Sequence, residues 1–140
     1  MKHVLITGGS RGIGAAAVRA FCGVGCAVTF FYEKSHAQAA ALAEQTGACA
    51  VCCDVADAEA VQRAFRTLDP VDVLVNNAGV VDDRFLLMLT EDSLTRSLDI
   101  NIKGYFHCAQ QAALKMMRKK SGVIVNISSV SSIMAIPGQS

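Results

Sequence analysis

Charge of either sign is in short surplus in this sequence. Thirteen lysines and arginines against twelve acidic residues leave a net charge of +1 over 140 residues. That removes the bulk electrostatic case for binding nucleic acid or an anionic membrane. Long apolar runs are missing too, and none approaches the length of a membrane span. Met1-Lys2-His3 is followed by only a few apolar residues before Gly8, so no export signal is expected. His3, His36 and His107 show no metal-ligand spacing, and no metal is expected. No Gly-Lys-Ser/Thr closes a P-loop. Repeats, linkers and low-complexity segments are absent.

What is present is apolar. Hydrophobic residues make up 52% and mean hydropathy is +0.37. That suggests strands covered on both faces, and a surface reserved for something else. Length allows one domain. Six cysteines without an export signal point to free thiols in a reducing cytoplasm. Cys49 and Cys52 match CxxC, but their odd separation in a strand sends them to opposite faces. They are expected to be buried small residues.

The informative stretch is His3–Gly14, HVLITGGSRGIG. The apolar run Val4–Ile6 reads as a buried strand, and Ala15–Val18 opens a helical pattern. Between them, Gly8 permits a tight turn. Gly12 lets backbone approach a pyrophosphate, and Gly14 lets the helix pack close to the sheet. The helix N-terminus presents unpaired N–H groups to phosphates. The spacing TGxxxGxG differs from GxGxxG.

Further along, strands are expected at Ala27–Tyr32, Ala48–Cys53, Val71–Val75 and Gly122–Ile127. Helices are expected at Ile13–Cys22, Ser35–Gln45, Asp57–Leu68 and from Thr90 to about Lys120, with a loop over Ile133–Ser140. This βαβαβαβαβ alternation implies a Rossmann-type, doubly wound parallel sheet of order 3-2-1-4-5. Chain order reverses beside the first strand. The crevice there receives both Gly8–Gly14 and Asn76–Gly79.

At the end of the second strand, an acidic residue would accept the ribose 2′-hydroxyl of NAD(H). Tyr32 stands there, followed by Glu33 and Lys34. Lys34 and Arg11, with no strand-terminal carboxylate, favour the 2′-phosphate of NADP(H); Glu33, one residue along, would suit NAD(H). Asp54, after the third strand, either accepts from an adenine amino group or caps a helix. Asn76 and Asn77 can bridge backbone groups of neighbouring strands. Ser128 and Ser129 are aimed at the same crevice, where a hydroxyl can donate to a carbonyl oxygen. The fold could bring His107 to them.

TGGSRGIG at Thr7–Gly14, Asp54-Val55, NNAG at Asn76–Gly79, NIKG at Asn101–Gly104 and GVIVNISS at Gly122–Ser129 together resemble the short-chain dehydrogenase/reductase family. The first of these, the LLML segment of Leu86–Leu89 and the PGQS ending are most similar to bacterial 3-oxoacyl-[acyl-carrier-protein] reductases. The resemblance implies reduction of a ketone or acyl thioester by nicotinamide hydride in fatty acid biosynthesis, by a cytoplasmic homo-oligomer (a dimer or tetramer). It implies cofactor contacts from Gly8, Ser10, Arg11, Gly12, Ile13, Gly14, Tyr32, Lys34, Asp54, Val55, Asn77, Ala78 and Gly79. It implies that Ser129 binds the substrate carbonyl and that Asn101 holds a relay water.

The family's Tyr-x-x-x-Lys should begin about a dozen residues after Ser129, and the last two strands should follow it. Neither Tyr32 nor Tyr105 has lysine at the fourth following position. The expectation is therefore the first part of a longer reductase, without turnover by itself. In the last long helix, Ile102, Phe106, Ala109, Ala113 and Met116 form an apolar stripe. Tyr105, Cys108, Ala112 and Met117 widen it, enough to serve both the sheet and a neighbouring subunit.

Overall fold

A computed structural model describes residues 1–139; Ser140, the last residue of the expected terminal loop, lies outside them. Five parallel strands form one sheet in the order β3-β2-β1-β4-β5. They are β1 (His3–Thr7), β2 (Ala27–Tyr32), β3 (Cys49–Cys52), β4 (Val73–Asn76) and β5 (Val123–Asn126). Between them run α1 (Gly12–Gly23), α2 (His36–Thr46) and α3 (Ala58–Thr67). After β4 come α4 (Glu91–Leu98) and α5 (Gly104–Lys119).

Both faces of the central strands are covered, as their uninterrupted apolar runs require. Val4, Leu5 and Ile6 are each fully buried. Val4 and Ile6 point to one side, where they pack with Val18, Phe30, Leu42 and Val75. Leu5 points to the other, among Phe31, Val61, Phe65, Leu74 and Cys108. Phe31 and Phe65 meet edge to face at 5.9 Å. Asp57 caps α3 by accepting from the N–H groups of Glu59 and Ala60. These two bonds, the Ala60 one first, hold its carboxyl below the usual range.

Three expectations need correction. The helix expected over Thr90–Lys120 is divided by a π-helical turn, Asp99–Lys103, between α4 and α5. The stripe of that helix facing the sheet is Gly104, Cys108, Ala112 and Met116, while Ile102 and Phe106 are exposed. Gly104, Cys108 and Ala112 let α5 lie close to the sheet, and Phe106 and Met117 face outward. Cys49 and Cys52 are exposed, because β3 is an edge strand; only Cys53 and Cys108 are buried. Burial pushes both of those thiols up to about 12.

The other edge, β5, is exposed along its whole length. Among the described residues, no helix is long and apolar enough to cross a membrane.

Candidate functional site

The carboxyl ends of β1 and β4 are locked together by side chains that reach across the two strands. Thr7 Oγ1 accepts from the N–H groups of Asn77 and Ala78 at 3.0 and 2.9 Å. Asn77 Nδ2 donates back to the carbonyls of Thr7 and Gly8, both at 3.1 Å. Asn77 is thus the cross-strand bridge its position implies. Asn76 does a similar task one strand over: its Nδ2 donates to Asn126 Oδ1 and to the Tyr105 carbonyl.

This clamp fixes the glycine-rich turn. A Cβ on Gly14 would lie 2.1 Å from the Gly8 carbonyl oxygen, so only glycine lets α1 start this close to β1. Gly12 has φ +55 and faces open space, with nothing within 4 Å of where a Cβ would be. Arg11, at the helix cap, gives no side-chain hydrogen bond to the first turn. The N–H groups of that turn are left for an acceptor, and the helix dipole adds positive potential. The chemistry of this turn suits a diphosphate.

Beside the turn opens a cleft of about 390 Å³. Of the residues expected to hold a cofactor, Gly8, Ser10, Arg11, Tyr32, Lys34, Asp54, Val55, Asn77, Ala78 and Gly79 line it. Gly12, Ile13 and Gly14 form the first turn of α1 and do not. The Tyr32 ring meets His36 edge to face at 5.4 Å, and its hydroxyl lies 3.3 Å from His36 Nδ1. Asp54 Oδ1 accepts from the Ala56 N–H at 2.9 Å, so it serves its own turn while lining the cleft.

Sequence reasoning missed Arg96 and Ile100, which also line the cleft. They are four apart on the helical segment after Thr90, and that spacing was the only signal they carried. Glu33 is a lining residue as well, ion-paired to Lys34 at 3.4 Å and to Arg96 at 3.7 Å.

Asn101 and Ser129 line a second cavity, of about 420 Å³. Val80 borders both spaces. Asn101, within the π turn, grips the backbone of Val80 at both ends: Oδ1 accepts from its N–H at 2.9 Å, and Nδ2 donates to its carbonyl at 3.0 Å. Ser129 Oγ is exposed, accepts from the Ser131 N–H and lies 3.2 Å from Ser131 Oγ. Val81, Leu89, Leu94, Met134 and Ile136 give this cavity an apolar wall. His107 does not join Ser129; its Nδ1 bonds the Val55 carbonyl at 2.9 Å. Tyr105 donates its hydroxyl to the Ile127 carbonyl at 2.8 Å, and burial raises its pKa. It is held as a structural group.

Known proteins share this architecture. The chain is 37% identical to a 3-oxoacyl-[acyl-carrier-protein] reductase FabG of Staphylococcus aureus, over 99% of its own length and 60% of the relative's. It is 38% identical to the 3-oxoacyl-[acyl-carrier-protein] reductase MabA of Mycobacterium avium, spanning 53% of that protein. Among solved structures, BdcA in complex with NADPH superposes with a TM-score of 0.88 at 40% identity, covering 99% of this chain and 56% of that one. The structure of gox2181 does so with a TM-score of 0.93 at 30% identity, covering 99% and 58%. The chain thus spans little more than half the length of these relatives. The family model for short chain dehydrogenase matches residues 2–140, and with the sheet order and glycine turn described above, the chain belongs to the short-chain dehydrogenase family.

Proposed function

We propose that these residues form the cofactor-binding part of an NADP(H)-dependent reductase that converts a ketone, of the 3-oxoacyl thioester class, to a secondary alcohol. The observation that carries this reading is the open glycine turn, clamped by Asn77 at the carboxyl rim of the sheet. Gly8, Ser10, Gly12, Ile13 and Gly14 would hold the pyrophosphate. Tyr32, Lys34 and Arg11 would face the adenosine ribose, and Asp54 and Val55 the adenine. Asn77, Ala78 and Gly79 would line the path toward the second cavity.

A bound nicotinamide supplies the hydride. The chain's own residues provide the rest of what is assigned to it. Ser129 donates a hydrogen bond to the substrate carbonyl oxygen, stabilising the charge that develops there. Asn101 fixes Val80, the wall between the two cavities, and orients a water for proton relay. The apolar wall of the second cavity suits an acyl chain. The reductase names of FabG and MabA support the substrate class, and the NADPH complex of BdcA supports the cofactor. The exposed apolar faces of α4 and α5, with Leu94, Leu98, Phe106 and Met117, support a homo-oligomer.

A fluorescence titration with NADPH tests the reading: saturable binding to the 140-residue chain is expected. NADPH oxidation with an acetoacetyl thioester is not expected from these residues alone, which hold no Tyr-x-x-x-Lys pair. Absence of binding would remove the proposal. A second reading, a nucleotide-binding or assembly module without turnover, draws on the exposed β5 edge. A stable complex with a separate chain covering that edge would favour it.

A further inference from the structure

Glu33 sits between two cations that come from different parts of the fold. Its Oε1 is 3.4 Å from Lys34 Nζ, in the loop after β2. Its Oε2 is 3.7 Å from Arg96 Nη2, on α4 across the cleft. All three line the cleft, as does Arg11, so two cations pair with one carboxylate and a third borders the same space. The other carboxylate of the cleft, Asp54, accepts from the Ala56 N–H through Oδ1. About half of the Arg96 side chain is exposed, and more of Lys34. Exposed pairs of this kind are weak and exchange partners readily.

The end of β2 is where a sheet of this type meets the adenosine ribose. A guanidinium pairs with phosphate oxygens through two parallel N–H donors, which a single long contact to a carboxylate does not exploit. We propose that Arg96 is a specificity-determining residue for an adenosine 2′-phosphate. Glu33 holds its guanidinium in the free protein, and the incoming phosphate takes the carboxylate's place, drawing Lys34 and Arg11 to the same dianion. Glu33 is then a competitor of the ligand, and its removal strengthens binding. The inference rests on the cofactor reading above.

Calorimetric titration of the 140-residue chain with 2′,5′-ADP and with 5′-AMP tests it without requiring turnover. The wild type is expected to bind 2′,5′-ADP the more tightly. Arg96→Ala lowers the ratio of the two affinities roughly tenfold, as loss of a charge-assisted pair should, and Arg96→Lys recovers part of it. Glu33→Gln raises affinity for 2′,5′-ADP, a gain that a misfolded variant cannot produce. If Arg96→Ala changes both affinities equally or neither, Arg96 only braces Glu33; the inference fails and the cofactor reading stands. If the wild type prefers 5′-AMP and Glu33→Gln abolishes that binding, Glu33 serves the ribose hydroxyl, and both the inference and the NADP(H) preference fail. Binding of neither probe overturns the cofactor reading and the inference with it.

Discussion

β1 and β5 are nearly the same strand in composition, VLIT against VIVN, and they differ completely in burial. Val4, Leu5 and Ile6 have no exposed surface. Val123, Ile124 and Val125 are 55%, 37% and 40% exposed. Each β5 residue pairs in register with β4, whereas β1 pairs with strands on both sides, so β5 is paired along one side only. The difference in burial lies in what covers the faces. β1 is central, with α1 on one side and the α3–α5 layer on the other. β5 is at the edge, where no further strand pairs with it among the described residues. An apolar run states that a strand can be buried; the neighbours state whether it is.

The contrast predicts a graded set of responses. Phe31→Ala, in the covered half, should lower unfolding free energy by about 3–5 kcal/mol. The truncation Ile124→Ala, at the open edge, should cost roughly 1 kcal/mol or less, because a partly exposed side chain loses less on truncation. Urea denaturation of both variants measures the gap, and equal costs would break the comparison.

Gly14→Ala probes the seam where α1 meets β1. Its new Cβ would fall 2.1 Å from the Gly8 carbonyl oxygen, so overpacking of about 1–3 kcal/mol is expected. NADPH binding should weaken in parallel, since the shifted turn is the proposed phosphate cradle.

Asn77→Ala removes the side-chain half of the clamp that Asn77 supplies between β1 and β4 and leaves the bonds to Thr7 Oγ1. Two carbonyls, of Thr7 and Gly8, lose their donor, at a cost of about 1–2 kcal/mol. Thr7→Val should show a comparable loss, and the double variant should cost less than the sum, because both act on one seam.

The smallest effect concerns the opposite rim, where Asp72 joins the covered half to the open edge. It accepts from Lys119 Nζ and from the His3 N–H, and its backbone carbonyl accepts from Val123 N–H. Lys119 first, then His3, hold its carboxyl below the usual range. A folded-state pKa below the unfolded value adds stability that is fully present above the unfolded value, near 3.8. That stability is lost as pH falls from there through the lowered folded value. Thermal melts between neutral pH and pH 3 should therefore fall less steeply in Asp72→Asn than in the wild type.

Much of this was legible beforehand. β2 was read at its observed bounds, because AVTFFY is β-branched and aromatic after Ala27 and is bracketed by Gly25 and Ser35. The strand order expected from alternation, right-handed crossovers and the Rossmann pattern is the one observed. The face of α5 was not legible. Its apolar arc is broad, and hydrophobicity favoured Ile102 and Phe106, whereas close approach to the sheet favoured Gly104, Cys108 and Ala112. Cys49 and Cys52 were expected to be buried from residue type, although the expected order 3-2-1-4-5 already puts the third strand at an edge. Arg96 was missed because its partner Glu33 is 63 positions away, and no short motif spans that distance.

Local order therefore came from the sequence itself: which segments are strands, where the chain turns, and where glycine must stand. These depend on backbone sterics and on periodicities of two and 3.6 residues, which act over a few neighbours. The ion pairs across the cleft and the outward face of α5 were decided only by tertiary structure. Each depends on which distant surfaces meet, and burial and electrostatic partnership are properties of that meeting rather than of any one segment.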